Sequence, residues 1–271
     1  MSGAGESPRG APHVVLLHGL LSSPQEFGLI ALTLRNRGLD LVVPEIAGYT
    51  AGDRRQPRRW QQWLTAAEAA IDAAVPSGQP MILGGLCSGG LLAAAAALRG
   101  GRQVQGLVLM SPTFAYDGWA QNHWRHWRGL GYALGLARWI SIAEREPFGV
   151  KNPKVRRWIA RQMHERAQSA AGPARLPLWG IREVESLARH VRDGLTALQV
   201  PALVLHARED EICTLNSVQR SLAGAAPGRV ELQVMDDSYH MITMDNDRHR
   251  VMDALTGFAR RFRADTPPPT P

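Results

Sequence analysis

Gly84-Gly85-Leu86-Cys87-Ser88-Gly89-Gly90 lies between a short apolar run, Pro80 to Leu83, and an alanine-rich stretch, Leu91 to Leu98. An apolar strand, a glycine-flanked sharp turn and a helix form the arrangement that lifts a nucleophile above a parallel sheet. Such an elbow holds its central residue in a strained backbone conformation. The neighbours two positions away on either side must be small, because their side chains would collide with the turn. With Cys87 central those neighbours are Gly85 and Gly89; with Ser88 central they are Leu86 and Gly90. Leu86 would put a branched side chain where room is shortest, so the frame favours Cys87 as the nucleophile. Read alone, the same residues also fit a tight turn with a buried small cysteine and no chemistry.

Two further segments bear on that choice. Val14-Val15-Leu16-Leu17 reads as a buried strand and runs into His18-Gly19-Leu20-Leu21-Ser22-Ser23, with a helix opening near Pro24. His18 is read as a structural histidine turned into that loop. Later, Ala202 to His206 forms a strand followed by Ala207-Arg208-Glu209-Asp210-Glu211-Ile212. Val230 to Val234 forms another, followed by Asp236-Asp237-Ser238-Tyr239-His240-Met241. Nucleophile, acid and histidine thus occur in the order Cys87, Asp210, His240, each just past a strand, where open α/β sheets build their sites. Asp117 is the rival acid.

On these motifs the chain resembles the α/β-hydrolase superfamily, and most of all bacterial carboxylesterases of the monoacylglycerol-lipase type. The resemblance runs from Val14 to Phe262 and is strongest around Val191-Arg192-Asp193, Ala207 to Glu211 and Ser238 to Asp245. It implies a mostly parallel, doubly wound sheet with a helical cap inserted at 113–177, between core segments 1–112 and 178–264. It also implies Cys87 as nucleophile, His240 as base, Asp210 as the acid that orients it, and the N–H groups of Leu20 and Ser88 as oxyanion donors. Leu21, Trp119, Trp124 and Met241 are expected to touch the acyl group. The departure from the family is cysteine in place of serine. The Gly-x-Cys-x-Gly-Gly box is also similar to that of polyhydroxyalkanoate synthases and dienelactone hydrolases, although the synthases are normally longer chains.

A length of 271 residues suits one such domain. Strands are expected near 13–18, 39–43, 80–84, 104–110, 201–206 and 230–235, and helices near 24–37, 57–74, 88–99, 181–193, 215–224 and 246–263. Pairing the two cysteines would consume the nucleophile, so a reducing compartment and a cytoplasmic location are expected. No run of about 18 apolar residues occurs, which argues against a membrane span. The proline-rich tail, 265–271, is expected to be disordered.

Six of the eight tryptophans (Trp119, Trp124, Trp127, Trp139, Trp158, Trp179) fall in or beside the cap region, with a cluster of arginines. In one reading the tryptophans bury the cap and the arginines solvate its outer face. In the other, aromatics line an acyl pocket while arginines receive an acidic carrier, the phosphates of an acyl-coenzyme A or an acyl-carrier protein. The net charge of +7 suits an anionic substrate, but no nucleic-acid-binding motif accompanies it. No cofactor is implied, and the nine histidines lack metal-site spacing.

Cysteine changes the chemistry expected of the elbow. After attack on an oxyester, the tetrahedral intermediate expels thiolate more readily than alkoxide and collapses backwards. On a thioester the two leaving groups are matched. The expected activity is therefore an acyl-processing hydrolase working through acyl-Cys87 on thioesters or activated esters. Transfer of the acyl group to an alcohol or amine is the alternative, and a catalytically inactive binding protein on the same scaffold is a third.

Overall fold

Val14 to Leu17 are fully buried, as a strand must be when helices cover both faces of its sheet. A computed structural model describes residues 12–51, 58–121 and 128–262. In it the strand β1 (His13–Leu17) pairs in parallel with β2 (Asp40–Val42) on one side and β3 (Met81–Leu86) on the other. β4 (Val104–Met110) follows β3. Four short strands come next: β5 (Ser141–Ala143), β6 (Gln168–Ser169), β7 (Gly172–Pro173) and β8 (Arg175–Pro177). β9 (Ala202–Ala207) and β10 (Val230–Met235) complete the main sheet, whose order is β10-β9-β4-β3-β1-β2 with every pairing parallel. The six expected strands are these six, within two residues at each end.

Alternate residues of each strand face opposite layers. Val15, Leu17, Leu83, Leu107, Leu109 and Val204 pack with α2 (Trp60–Ala74), α3 (Ser88–Arg99), α6 (Leu178–Gly194) and α7 (Leu215–Leu222). Val14, Leu16, Ile82, Val108, Leu203 and Leu205 pack with α1 (Gly28–Asn36) and α8 (Arg248–Arg260). The result is a three-layer doubly wound α/β fold. In α3, Ser88 to Ala96 are all buried, and the run of alanines lets this helix lie between the sheet and α6. The helix expected at 24–37 is divided: Ser23 caps a 3-10 turn at Pro24–Phe27, and α1 starts at Gly28.

The segment between β4 and α6 is not purely helical. It holds α4 (Arg128–Ala133), a 3-10 turn at Leu136–Arg138 and α5 (Pro153–Arg166). Two antiparallel ribbons join them, β5 with β8 and β6 with β7. Its tryptophans do not bury it: Trp139 and Trp119 are 76% and 59% exposed, while Trp179 on α6 is 9% exposed. Trp124, Trp127 and the tail at 265–271 lie outside the described residues. No helix among the described residues is long and apolar enough to cross a membrane.

Candidate active site

Strand β3 ends at Leu86 and α3 begins at Ser88, so the chain must reverse direction at the single residue between them. Cys87 does this with φ of +58° and ψ of −127°, a left-handed conformation that costs a side-chain-bearing residue on the order of 1–3 kcal/mol. Its N–H donates to Met110 O (2.9 Å), pinning the turn to β4. A Cβ on Gly85 would come within 2.5 Å of the backbone of Gly89 and Leu17. One on Gly89 would come within 2.2 Å of Leu17 O. Glycine is therefore required on both sides of Cys87. Leu86 is fully buried in the core, and Ser88 Oγ is hydrogen-bonded to Tyr49 Oη (2.7 Å), so neither competes with the thiol for the cleft side of the turn.

The loop after β1 passes beside this turn, with the Cβ position of Gly19 only 3.4 Å from Cys87 Cβ. Glu26 fixes it by accepting the Gly19 N–H (2.7 Å). His18 is buried and bonded to Thr50 Oγ1 (2.8 Å) and stacked on Tyr49; burial lowers its pKa to about 4. That is the structural role read for it. Neither the Leu20 nor the Ser88 N–H is engaged in any hydrogen bond among the described residues, so both remain open donors beside Cys87.

The loops after β9 and β10 bring the acid and the histidine together. His240 Nδ1 is 2.8 Å from Asp210 Oδ2, with both residues buried. Asp210 Oδ1 accepts the N–H groups of Ile212 (2.8 Å) and Cys213 (2.9 Å). Burial opposes its ionisation, but His240, His206 and the Cys213 N–H outweigh that and hold its pKa below the usual carboxylate value. His240 is affected conversely. Burial would lower its pKa, yet the charges of Asp210 and Cys87 and its hydrogen bond to Asp210 raise it well above the usual imidazole value. Its Nε2 has no hydrogen-bond partner, and the Cys87 thiol is turned to Thr113 Oγ1 at 3.1 Å. Thiol and imidazole are thus neighbours whose hydrogen bond is not formed. The rival acid is committed elsewhere: Asp117 accepts from Thr214 and Ser217 at the start of α7.

Five groups that the linear pattern did not mark complete the surroundings. Thr113 faces the thiol. His206 donates from Nε2 to Cys213 O (2.9 Å) and stands 3.6 Å from Asp210 Oδ2, the same oxygen that His240 Nδ1 meets. Glu211 accepts the His240 N–H (3.0 Å). Burial drives Glu26, Glu144 and Glu211 each up to about 7, against the pull of the His240 charge. A glutamate three residues into a helix, or one beside the acid, is an ordinary surface residue by sequence; only the packing identifies these.

The residues expected to touch substrate are dispersed. Leu21 is fully buried in the core beside α2 and α3. Met241 packs on Gly149 on the other face, its N–H held by Gly149 O (2.8 Å). Trp119 lies at the surface, donating to Glu209 O (3.0 Å) with its ring edge-on to Tyr239.

The serine aminopeptidase S33 family, Hydrolase_4, matches residues 7–247. Among solved structures the chain is similar to a monoacylglycerol lipase of Paleococcus ferrophilus, at 18% identity and a TM-score of 0.72. That match covers 92% of this chain and 95% of the other. It is also similar to a monoglyceride lipase of Saccharomyces cerevisiae (13%, TM-score 0.73, covering 95% and 89%). A thioesterase domain from the curacin biosynthetic pathway matches at 15% with a TM-score of 0.60, covering 92% and 91%. No curated protein matches it in sequence. The elbow, the parallel sheet and the family match agree: the chain belongs to the serine aminopeptidase S33 family and is an enzyme of the α/β-hydrolase fold.

Proposed function

We propose that this hydrolase acts on acyl thioesters or similarly activated esters through an acyl-Cys87 intermediate, with His240 as base and acid and Asp210 orienting it. The observation that carries the reading is a cysteine, not a serine, at the left-handed apex of the elbow, beside a buried His240–Asp210 pair. The raised pKa of His240, held up by Asp210, suits it to give and take a proton beside the thiol. Cys87 Sγ attacks the acyl carbon, and the oxyanion formed is met by the N–H groups of Leu20 and Ser88. Fixed donors of this kind are worth about 3–4 kcal/mol each. The C–S bond to the leaving group breaks, and His240 gives that thiolate its proton. Water, deprotonated by His240, then attacks acyl-Cys87, releasing a carboxylic acid and regenerating the thiol. Residues 113–177 act as the cap over this cleft.

The test is kcat/KM on a matched alkyl thioester and oxyester. Wild type should prefer the thioester, and Cys87→Ser should shift the ratio towards the oxyester, because alkoxide and serine alkoxide leave on equal terms. Ser88→Ala should keep most activity, since only its N–H is used. A wild type that prefers the alkyl oxyester, or a ratio unmoved by Cys87→Ser, would make the enzyme a plain esterase.

A further inference from the structure

Four arginines border one cleft of about 270 Å³ on the α6 side of the molecule: Arg58 and Arg59 before α2, Arg138 before β5, and Arg182 on α6. Trp179 and Glu183 complete its polar and aromatic lining. Like charges this close repel unless something negative lies among them. None of the four forms an ion pair with a carboxylate among the described residues. Glu183 is the one carboxylate in the lining, and its Oε2 is taken by the Trp60 N–H (3.0 Å) at the start of α2. Two of the guanidiniums are held in place by rings rather than by acids: Arg138 lies 4.9 Å from the centre of Trp139, and Arg182 5.6 Å from that of Tyr132. Stacked guanidiniums keep their N–H forks free for an incoming oxyanion.

This cleft is separate from the elbow yet joined to it. Trp179 packs on Trp63 (6.0 Å between rings), Trp63 on Tyr49 (5.2 Å), and Tyr49 bonds Ser88. The next residue along α6, Gly180, abuts Leu20 of the oxyanion loop; a Cβ there would be 3.1 Å from Leu20 Cδ2. The cleft thus adjoins the loop that carries Leu20.

We infer that this cleft binds the phosphorylated nucleotide end of an acyl-coenzyme A, with Arg138 and Arg182 as forked phosphate donors. The inference rests on the thioester reading above for its substrate, but its test does not. Calorimetry with adenosine 3′,5′-bisphosphate should show binding to wild type and to Cys87→Ala alike. In the double variant Arg138→Gln/Arg182→Gln it should weaken by roughly tenfold or more, since each forked phosphate contact is charge-assisted. Kinetics should compare hexanoyl-coenzyme A with hexanoyl-N-acetylcysteamine, which has no phosphate. The double variant should raise KM for the first by a similar factor and leave the second unchanged, with an unaltered unfolding temperature. If neither thioester is cleaved, the proposed function fails while the calorimetry still decides the cleft. No bisphosphate binding to wild type, binding no tighter than that of inorganic phosphate, or equal losses on both thioesters would overturn the assignment.

Discussion

Replacing Gly89 by alanine tests the geometry on which the site is built. The added Cβ would stand 2.2 Å from Leu17 O and 2.3 Å from His18 O, both backbone atoms at the end of β1, whereas ordinary contact begins at 3.4 Å. No side chain can rotate away, so α3 and the β1 loop must separate by about 1 Å. Overpacking of this kind costs about 1–3 kcal/mol, and alanine's better helix propensity returns up to about 1 kcal/mol. The net expectation is a loss of about 2 kcal/mol. The same displacement moves the Leu20 N–H away from the Ser88 N–H, and misplacement by about 1 Å can cost 10²-fold in rate. Gly257, inside α8 with nothing within 4 Å of its Cβ position, is the control. Alanine there should stabilise by about 0.5–1 kcal/mol and leave activity unchanged. Urea unfolding followed by tryptophan fluorescence, with kcat/KM on the better acyl substrate, measures both. A Gly89→Ala protein as stable as wild type and within threefold of its activity would mean that the turn is looser than drawn and that Cys87 is not its fixed apex.

Asp210→Asn should lower kcat by about 10³–10⁴-fold, as the loss of an orienting carboxylate does in other triads. Asp117→Asn should leave kcat nearly intact and cost about 1–2 kcal/mol through the α7 cap; the opposite ranking in kinetics would reassign the acid. Glu26→Gln keeps an oxygen for the Gly19 N–H but removes a titration. Glu26 is raised from 4.5 to about 7 by burial, so the folded state binds its proton more tightly than the unfolded state. Its contribution to stability is fully present below pH 4.5 and is lost as pH rises towards 7. Glu26→Gln should therefore gain on wild type by about 3 kcal/mol between pH 4.5 and 8, and urea titrations at those pH values that show a constant difference would remove Glu26 from the buried cluster.

The sheet and its helices were legible because their signals are local. Val14 to Leu17 and Ala202 to Leu205 are continuous apolar runs, and the Gly85/Gly89 spacing allows few backbones other than an elbow. The order Cys87, Asp210, His240 was legible because each follows a strand. What was missed depends on contacts between distant segments. Glu26 reaches Gly19 across a turn, Thr113 meets Cys87 from the end of β4, and His206 backs Asp210 from within a strand that reads as plain core. The ribbons β5–β8 and β6–β7 have two or three residues per strand, too few for an alternation to register. Exposed tryptophans in that region show the limit of composition as a guide, since aromatic content says nothing about which face a ring takes.

The carboxyl groups around His240 impose one more constraint on the chemistry. Four of them, Glu26, Glu144, Asp210 and Glu211, feel its charge. One imidazolium cannot balance four buried carboxylates, so they cannot all ionise together. Asp210 retains its charge because two N–H groups and His240 solvate it. The glutamates are less well solvated, with the Gly19 N–H on Glu26 and the His240 N–H on Glu211, and burial outweighs these donors and keeps all three protonated until about pH 7. As they ionise, each further stabilises the imidazolium. Under the mechanism proposed above, acylation would use the cation and deacylation the neutral ring, so the two steps would respond to pH in opposite directions through the same cluster. The pH profile then belongs to the cluster as a whole and not to His240 alone.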